Sequence, residues 1–192
     1  MNTPTHTIIN LVLLKKQTHE KYLLPVILGS LFPDFLIMIF YFYQKIIKGI
    51  PEEIIWGELY FEPGWQIVFD IAHSIPVFIV FTAVFFILRQ KYSYLFCLSV
   101  VLHALFDLPF HNDDAHRHFY PISGWKFESP VSYWDPEHFG LWFTIFEALL
   151  FLAGVIFLIK AYKRKRNKWI VAGILAVYFL FFIFAFFMWV LR

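Results

Sequence analysis

A single cysteine, Cys97, is all the thiol the chain carries. That excludes an internal disulfide, and it excludes a metal site built on two thiolates of one chain. In its apolar stretch Cys97 reads as a packing residue. Charge is scarce as well: 16% of the 192 residues are Asp, Glu, Lys or Arg, against about 25% in a soluble domain. There is no internal repeat of useful length, and no low-complexity tract beyond the Phe-rich YFLFFIFAFFMWV near the end. The N-terminus, MNTPTHTIINLVLLKK, lacks the order of a secretory signal, because its lysines follow the apolar segment and no small-residue cleavage site comes after it. It is expected to remain in the mature protein.

What is present instead is apolar: 60% of residues are hydrophobic, and 26 are Phe. Runs of about 20 such residues span a bilayer, and in lipid only helices satisfy their own backbone. The sequence therefore predicts an all-α, polytopic integral membrane protein forming one domain. About five transmembrane helices are expected, at 22 to 44, 74 to 89, 93 to 108, 139 to 160 and 169 to 190. A short N-terminal half-helix, TIINLVLL, precedes them, about 12 Å long and capped by Thr5 or Thr7. Residues 1–160 read as a bundle carrying a site, 161–168 as a basic loop, and 169–192 as an anchor helix without chemistry.

The basic residues collect in KKQTHEK (15 to 21), RQK (89 to 91) and KAYKRKRNK (160 to 168), which the positive-inside rule places in the cytoplasm. The loops 45–73 and 109–138 then lie outside. Their Trp, Tyr, Pro and acidic residues predict an ordered, aromatic-rich extracytoplasmic cap.

Against this background six ionisable residues stand inside or beside apolar helices: His6, Asp34, His73, His103, Asp107 and Glu147. Such groups are costly in lipid and normally face a bundle interior, where they pair, bind ions or do chemistry. Counted at 1.5 Å per residue from the nearest basic anchor, they lie about 15 Å (His6), 20 Å (Asp34), 24 Å (His73), 18 Å (His103), 24 Å (Asp107) and 20 Å (Glu147) up. Six residues from five segments converge on one layer in the outer half of the membrane. His103 and Asp107, four apart, share a helix face and are apt ligands for Zn²⁺ or a similar divalent ion. The alternative is a buried His–Asp hydrogen bond joining two helices. Pro109 ends that helix and lets His111 fold back over the layer. His116, Arg117, His118 and, further on, His138 form a candidate rim, or a solvated polar loop. Asp70 is a candidate partner for the His73 imidazole.

The stretches HTIIN, LGSLFPDF, AHSIP and LHALFDLPFH resemble the membrane-bound metal-dependent hydrolases, an inner-membrane family once described as LexA-binding. The ordered set His, Asp, His, His-xxx-Asp, His is similar in turn to the helical zinc enzymes typified by bacterial phospholipase C and the single-strand-specific P1 nuclease. The resemblance runs from about residue 3 to 120. It implies an all-helical site that hydrolyses phosphoesters in a bacterial-type inner or plasma membrane, with His6, Asp34, His73, His103, Asp107 and His111 as metal ligands. The soluble enzymes close their site with a further His-xxx-Glu pair, which this chain lacks; Glu147 is the candidate substitute. The expected activity is metal-dependent hydrolysis of a lipid or lipid-linked phosphate, with Asp34 or Glu147 as general base and no nucleic-acid partner. Two other readings remain: a transporter relaying protons or cations, and a non-catalytic relative that retains the polar layer.

Overall fold

The structure, a computed structural model, describes residues 1–189, so the last three residues of the expected anchor helix lie outside the described residues. Among the described residues there are helices and no strands: α1 (Thr3–Leu13), α2 (Lys15–Thr18), α3 (Leu23–Phe42), α4 (Glu52–Gly57), α5 (Pro63–Ala72), α6 (Ile75–Ile87), α7 (Lys91–Asp107), α8 (Gly140–Ala161) and α9 (Lys165–Trp189). Among the described residues, three stretches are long and apolar enough to cross a membrane: Leu23–Ile47, Lys91–Phe110 and Gly140–Ala161. A fourth passes only as a broken pair, Pro63–Ala72 with Ile75–Ile87, bent by about 40°.

The short α1 is the centre of the bundle. It packs against α3, α7, α8 and α9, and Thr5 to Leu11 are all buried. A helix buried on every side must satisfy its polar side chains internally. Asn10 accordingly donates to the carbonyl and the hydroxyl of Ser99 on α7, both at 2.9 Å, and Thr7 meets Ser30 on α3 at 2.8 Å. Glycine sets two close approaches. Gly29 of α3 lies against the Phe96–Ser99 turn of α7, and Gly154 of α8 against Ile8. Below the polar layer Ile8, Leu11, Val26, Leu95, Phe151 and Leu158 form the main apolar core.

Three expectations need correction. The segment 63–72, read as part of an external loop, is a helix, because Pro63 opens it at its first position and the apolar residues of WQIVFDIA follow a helical spacing. Thr5 and Thr7 do not cap α1; Asn2 is its N-cap, and no side chain there closes the cap. The basic loop is shorter than 161–168, since α9 already begins at Lys165. Lysine and arginine at a helix start oppose its dipole. The Glu20 carboxylate, accepting from the main-chain N–H of Lys163 and Arg164 at 3.0 Å, offsets this.

Candidate metal centre

The polar layer is built where one helix loses a backbone hydrogen bond and two others end. On α3, Pro33 withholds an N–H from the carbonyl four residues earlier, in the turn that carries Ser30 and leads to Asp34. On the α5–α6 pair, Ser74 caps α6, accepting from the Val77 N–H at 3.3 Å, and Pro76 sits in the first turn. The break leaves His73 at the end of α5. On α7, regular helix ends at Asp107, and a 3-10 turn, Leu108–Phe110, swings His111 back.

Two imidazoles have their orientation fixed by backbone carbonyls. His103 Nδ1 lies 2.8 Å from the Ser30 carbonyl oxygen, and His73 Nδ1 lies 2.8 Å from the Phe69 carbonyl oxygen. A carbonyl only accepts, so each Nδ1 carries the hydrogen and each Nε2 is left to face inward, as in ligating histidines. His103 Nε2 stands 2.9 Å from Asp107 Oδ2 and 3.5 Å from Asp34 Oδ1, and His73 Nε2 stands 3.8 Å from Asp107 Oδ2. Yet His103 Nε2 and Asp34 Oδ2 are buried without a hydrogen-bond partner. Two imidazoles and two carboxylates converging in this space repel one another unless a proton or a metal ion lies between them. The donor atoms of Asp34, His73, His103 and Asp107 all lie within 4.8 Å of one another, so these four residues can hold a metal ion.

The other expected residues fall around this group at different removes. His6 stacks on His103 at 3.8 Å between centroids and points Nε2 at Asp107 Oδ1, 2.8 Å away. Its Nδ1 is buried and unpartnered. The same Asp107 oxygen meets His111 Nε2 at 3.2 Å and the Met1 amino group at 2.8 Å. His116 stacks on His73 at 4.0 Å, and His118 Nδ1 donates to the His116 carbonyl at 3.0 Å. Burial and the neighbouring His73 push His118 down to about 3 and His116 well below its ordinary value, so both are neutral near pH 7.

Arg117 turns away from the group. Its main-chain N–H and its Nε donate to the wholly buried Asp70 at 2.8 and 2.5 Å. Asp70 therefore serves Arg117 and not His73, because Arg117 takes both its oxygens and the His73 Nδ1–H is spent on the Phe69 carbonyl. Two further bonds tie the same segment to the α5–α6 break: the Ile75 N–H donates to the His118 carbonyl at 2.9 Å, and the Ser74 hydroxyl donates to the Tyr120 carbonyl. His138 stays apart, paired with Asp135 at 2.6 Å and 37% exposed. Glu147 is fully buried, but both its oxygens are taken by Asn2, at 2.7 and 2.8 Å.

Sequence reasoning missed the Ser30 and Phe69 carbonyls, the Met1 amine and Asp114, which meets His111 Nδ1 at 3.0 Å. Only the Phe69 contact carried a signal, since a histidine closing a helix can reach back to the carbonyl four residues before it, which also accepts its main-chain N–H. Comparison with family models, with curated proteins and with solved structures returns no match to this chain.

Proposed function

We propose that the chain is a metal-dependent membrane hydrolase acting on a lipid or lipid-linked phosphoester. The observation that carries this reading is the pair of imidazoles, His73 and His103, each donating Nδ1–H to a carbonyl and turning Nε2 towards the buried Asp107, with the partly exposed Asp34 beside them. His73, His103 and Asp107 would hold a Zn²⁺ and leave its fourth position open, where a divalent ion would supply a Lewis acid that lowers the pKa of a water from 15.7 towards about 7 and polarises a phosphoryl oxygen. Support for the hydrolase class comes from the stretches HTIIN, LGSLFPDF, AHSIP and LHALFDLPFH, which resemble the membrane-bound metal-dependent hydrolases, and from the order His6, Asp34, His73, His103-xxx-Asp107, His111, which is similar to that of the helical zinc enzymes.

In this reading Asp34 is the general base. Its Oδ2 is unpartnered and its side chain keeps 20% exposure, so it reaches both the site and an entering water. Glu147, with both oxygens occupied by Asn2, holds the start of α1 in place instead. Asp107 is the hub that orients His6 and His111, and His116 and His118 line the entrance from the latched loop. Around the site we place about five spans and the central half-helix, with the aromatic cluster of Phe40, Tyr60, Trp65 and Phe69 as part of an extracytoplasmic cap. The basic turns 15–21, 89–91 and 160–168 are then cytoplasmic, and the substrate enters from the outer leaflet.

The test is metal analysis of the purified protein beside His103→Ala and Asp107→Asn, followed by phosphatase assays on lipid phosphates. Metal in the wild type alone, with hydrolysis that a chelator abolishes, supports the reading. Metal without hydrolysis favours the non-catalytic relative, and cation flux in proteoliposomes favours the transporter.

A further inference from the structure

At the other end of α7, about 24 Å from the polar layer at 1.5 Å per residue, the surface opens into a groove of about 810 Å³. Its lining is basic in part, from Lys16 of α2 with Arg89 and Lys91 of the α6–α7 turn, and apolar in part, from Phe85, Phe86 and Ile87 at the end of α6. A contiguous groove of about 420 Å³ adds Lys15, Lys163 and Arg164. Among the described residues, none of these six cations has a carboxylate within salt-bridge distance; Lys91 instead lies over the Tyr22 ring. The one acid lining either groove, Glu20, spends its oxygens on the N–H groups of Lys163, Arg164 and Asn167.

The turns that build the walls are strained in a telling way. Arg89 closes α6 with φ +56, and His19 closes α2 with φ +47. The Gln90 N–H bonds to the Phe85 carbonyl and the Arg89 N–H to the Phe86 carbonyl, a Schellman ending. Its left-handed position is where glycine fits without cost. An arginine held there projects a cation into the groove at the expense of backbone comfort, and such a choice points to use of the side chain.

We propose that this groove binds the phosphate headgroup of an anionic phospholipid, with Lys16 and Arg89 as the phosphate contacts and Phe85, Phe86 and Ile87 lying along the first acyl carbons. Uncompensated lysines and arginines at a membrane boundary recognise anionic headgroups. The apolar wall selects a lipid over a soluble anion, because Phe86 and Ile87 are 67% and 76% exposed and continue the outer face of α6. This inference is independent of the hydrolase reading.

The test is a titration of the full chain, purified in phosphatidylcholine-containing micelles, with phosphatidylglycerol, following the melting temperature by Trp fluorescence. A saturable rise is expected, absent with added phosphatidylcholine and absent with inorganic phosphate. Lys16→Gln/Arg89→Gln should weaken the apparent affinity about 30-fold and Arg89→Gly about fivefold. Arg89→Gly is the decisive variant, since relief of the left-handed strain should leave its own melting temperature equal or higher. Lys45→Gln/Lys48→Gln, outside the groove, should respond as the wild type does. The proposal is overturned by an Arg89→Gly protein that responds like the wild type, by an equal shift with inorganic phosphate, or by an equal loss in the Lys45/Lys48 variant.

Discussion

Replacing Arg117 with alanine should unlatch the loop that carries His116 and His118. Asp70 is wholly buried, and both its oxygens are served by Arg117, Oδ1 by the main-chain N–H at 2.8 Å and Oδ2 by Nε at 2.5 Å. Removing the partner of a buried ion costs about 3–5 kcal/mol when the charge is left alone, and one hydrogen bond to a charged group is worth about 1.5–3 kcal/mol. Here the main-chain donor survives the substitution, so the expected loss is about 2–3 kcal/mol. Asp70→Asn in the Arg117→Ala background removes the stranded charge and should recover about 1–2 kcal/mol as a coupling energy. The stability is read from unfolding in mixed micelles of graded denaturing detergent. The loop is read from chymotrypsin cleavage after Phe119, which should accelerate in the single variant. A single variant within about 0.5 kcal/mol of the wild type, with unchanged cleavage, would refute the latch.

Three further outcomes are expected. Gly29→Ala would bring a methyl group to 2.8 Å from Ser99 Cβ and hard against the Phe96 carbonyl; it should cost about 1–3 kcal/mol, measured as a lowered melting temperature. Glu147→Ala strands the Asn2 N–H and should cost about 1–3 kcal/mol while leaving metal content unchanged, because its oxygens serve Asn2. Glu20 is held below its usual 4.5 by the main-chain N–H groups of Lys163 and Arg164. A carboxylate with a depressed folded pKa stabilises fully above the unfolded value and loses that contribution as pH falls through the folded one. Glu20→Gln should therefore flatten the acid limb of a stability–pH curve below about 4.5.

The long apolar helices were legible because hydropathy and basic anchors suffice to locate them: α3, α7 and α8 lie within a few residues of expectation. Depth along a helix was legible too, and His6, Asp34, His73, His103, Asp107 and His111 do meet around one carboxylate or its neighbours. Direction was not. Glu147 has the right depth but spends its oxygens on Asn2, and Asp70, expected to partner His73, pairs with Arg117 instead. Nor was the α5–α6 break legible, since Pro63, Pro76 and a half-polar stretch read equally well as a loop. The Ser30 carbonyl that orients His103 carries no side-chain signature at all.

The most direct measurement is metal stoichiometry of the purified wild type beside His103→Ala and His138→Ala. The wild type and His138→Ala should each retain a divalent ion after dialysis. His103→Ala, having lost a ligand atom from the group of four, should bind at least about 100-fold more weakly. A wild type that stays free of metal after purification in zinc-supplemented buffer, or a His103→Ala protein that holds metal as tightly as the wild type, would contradict the account.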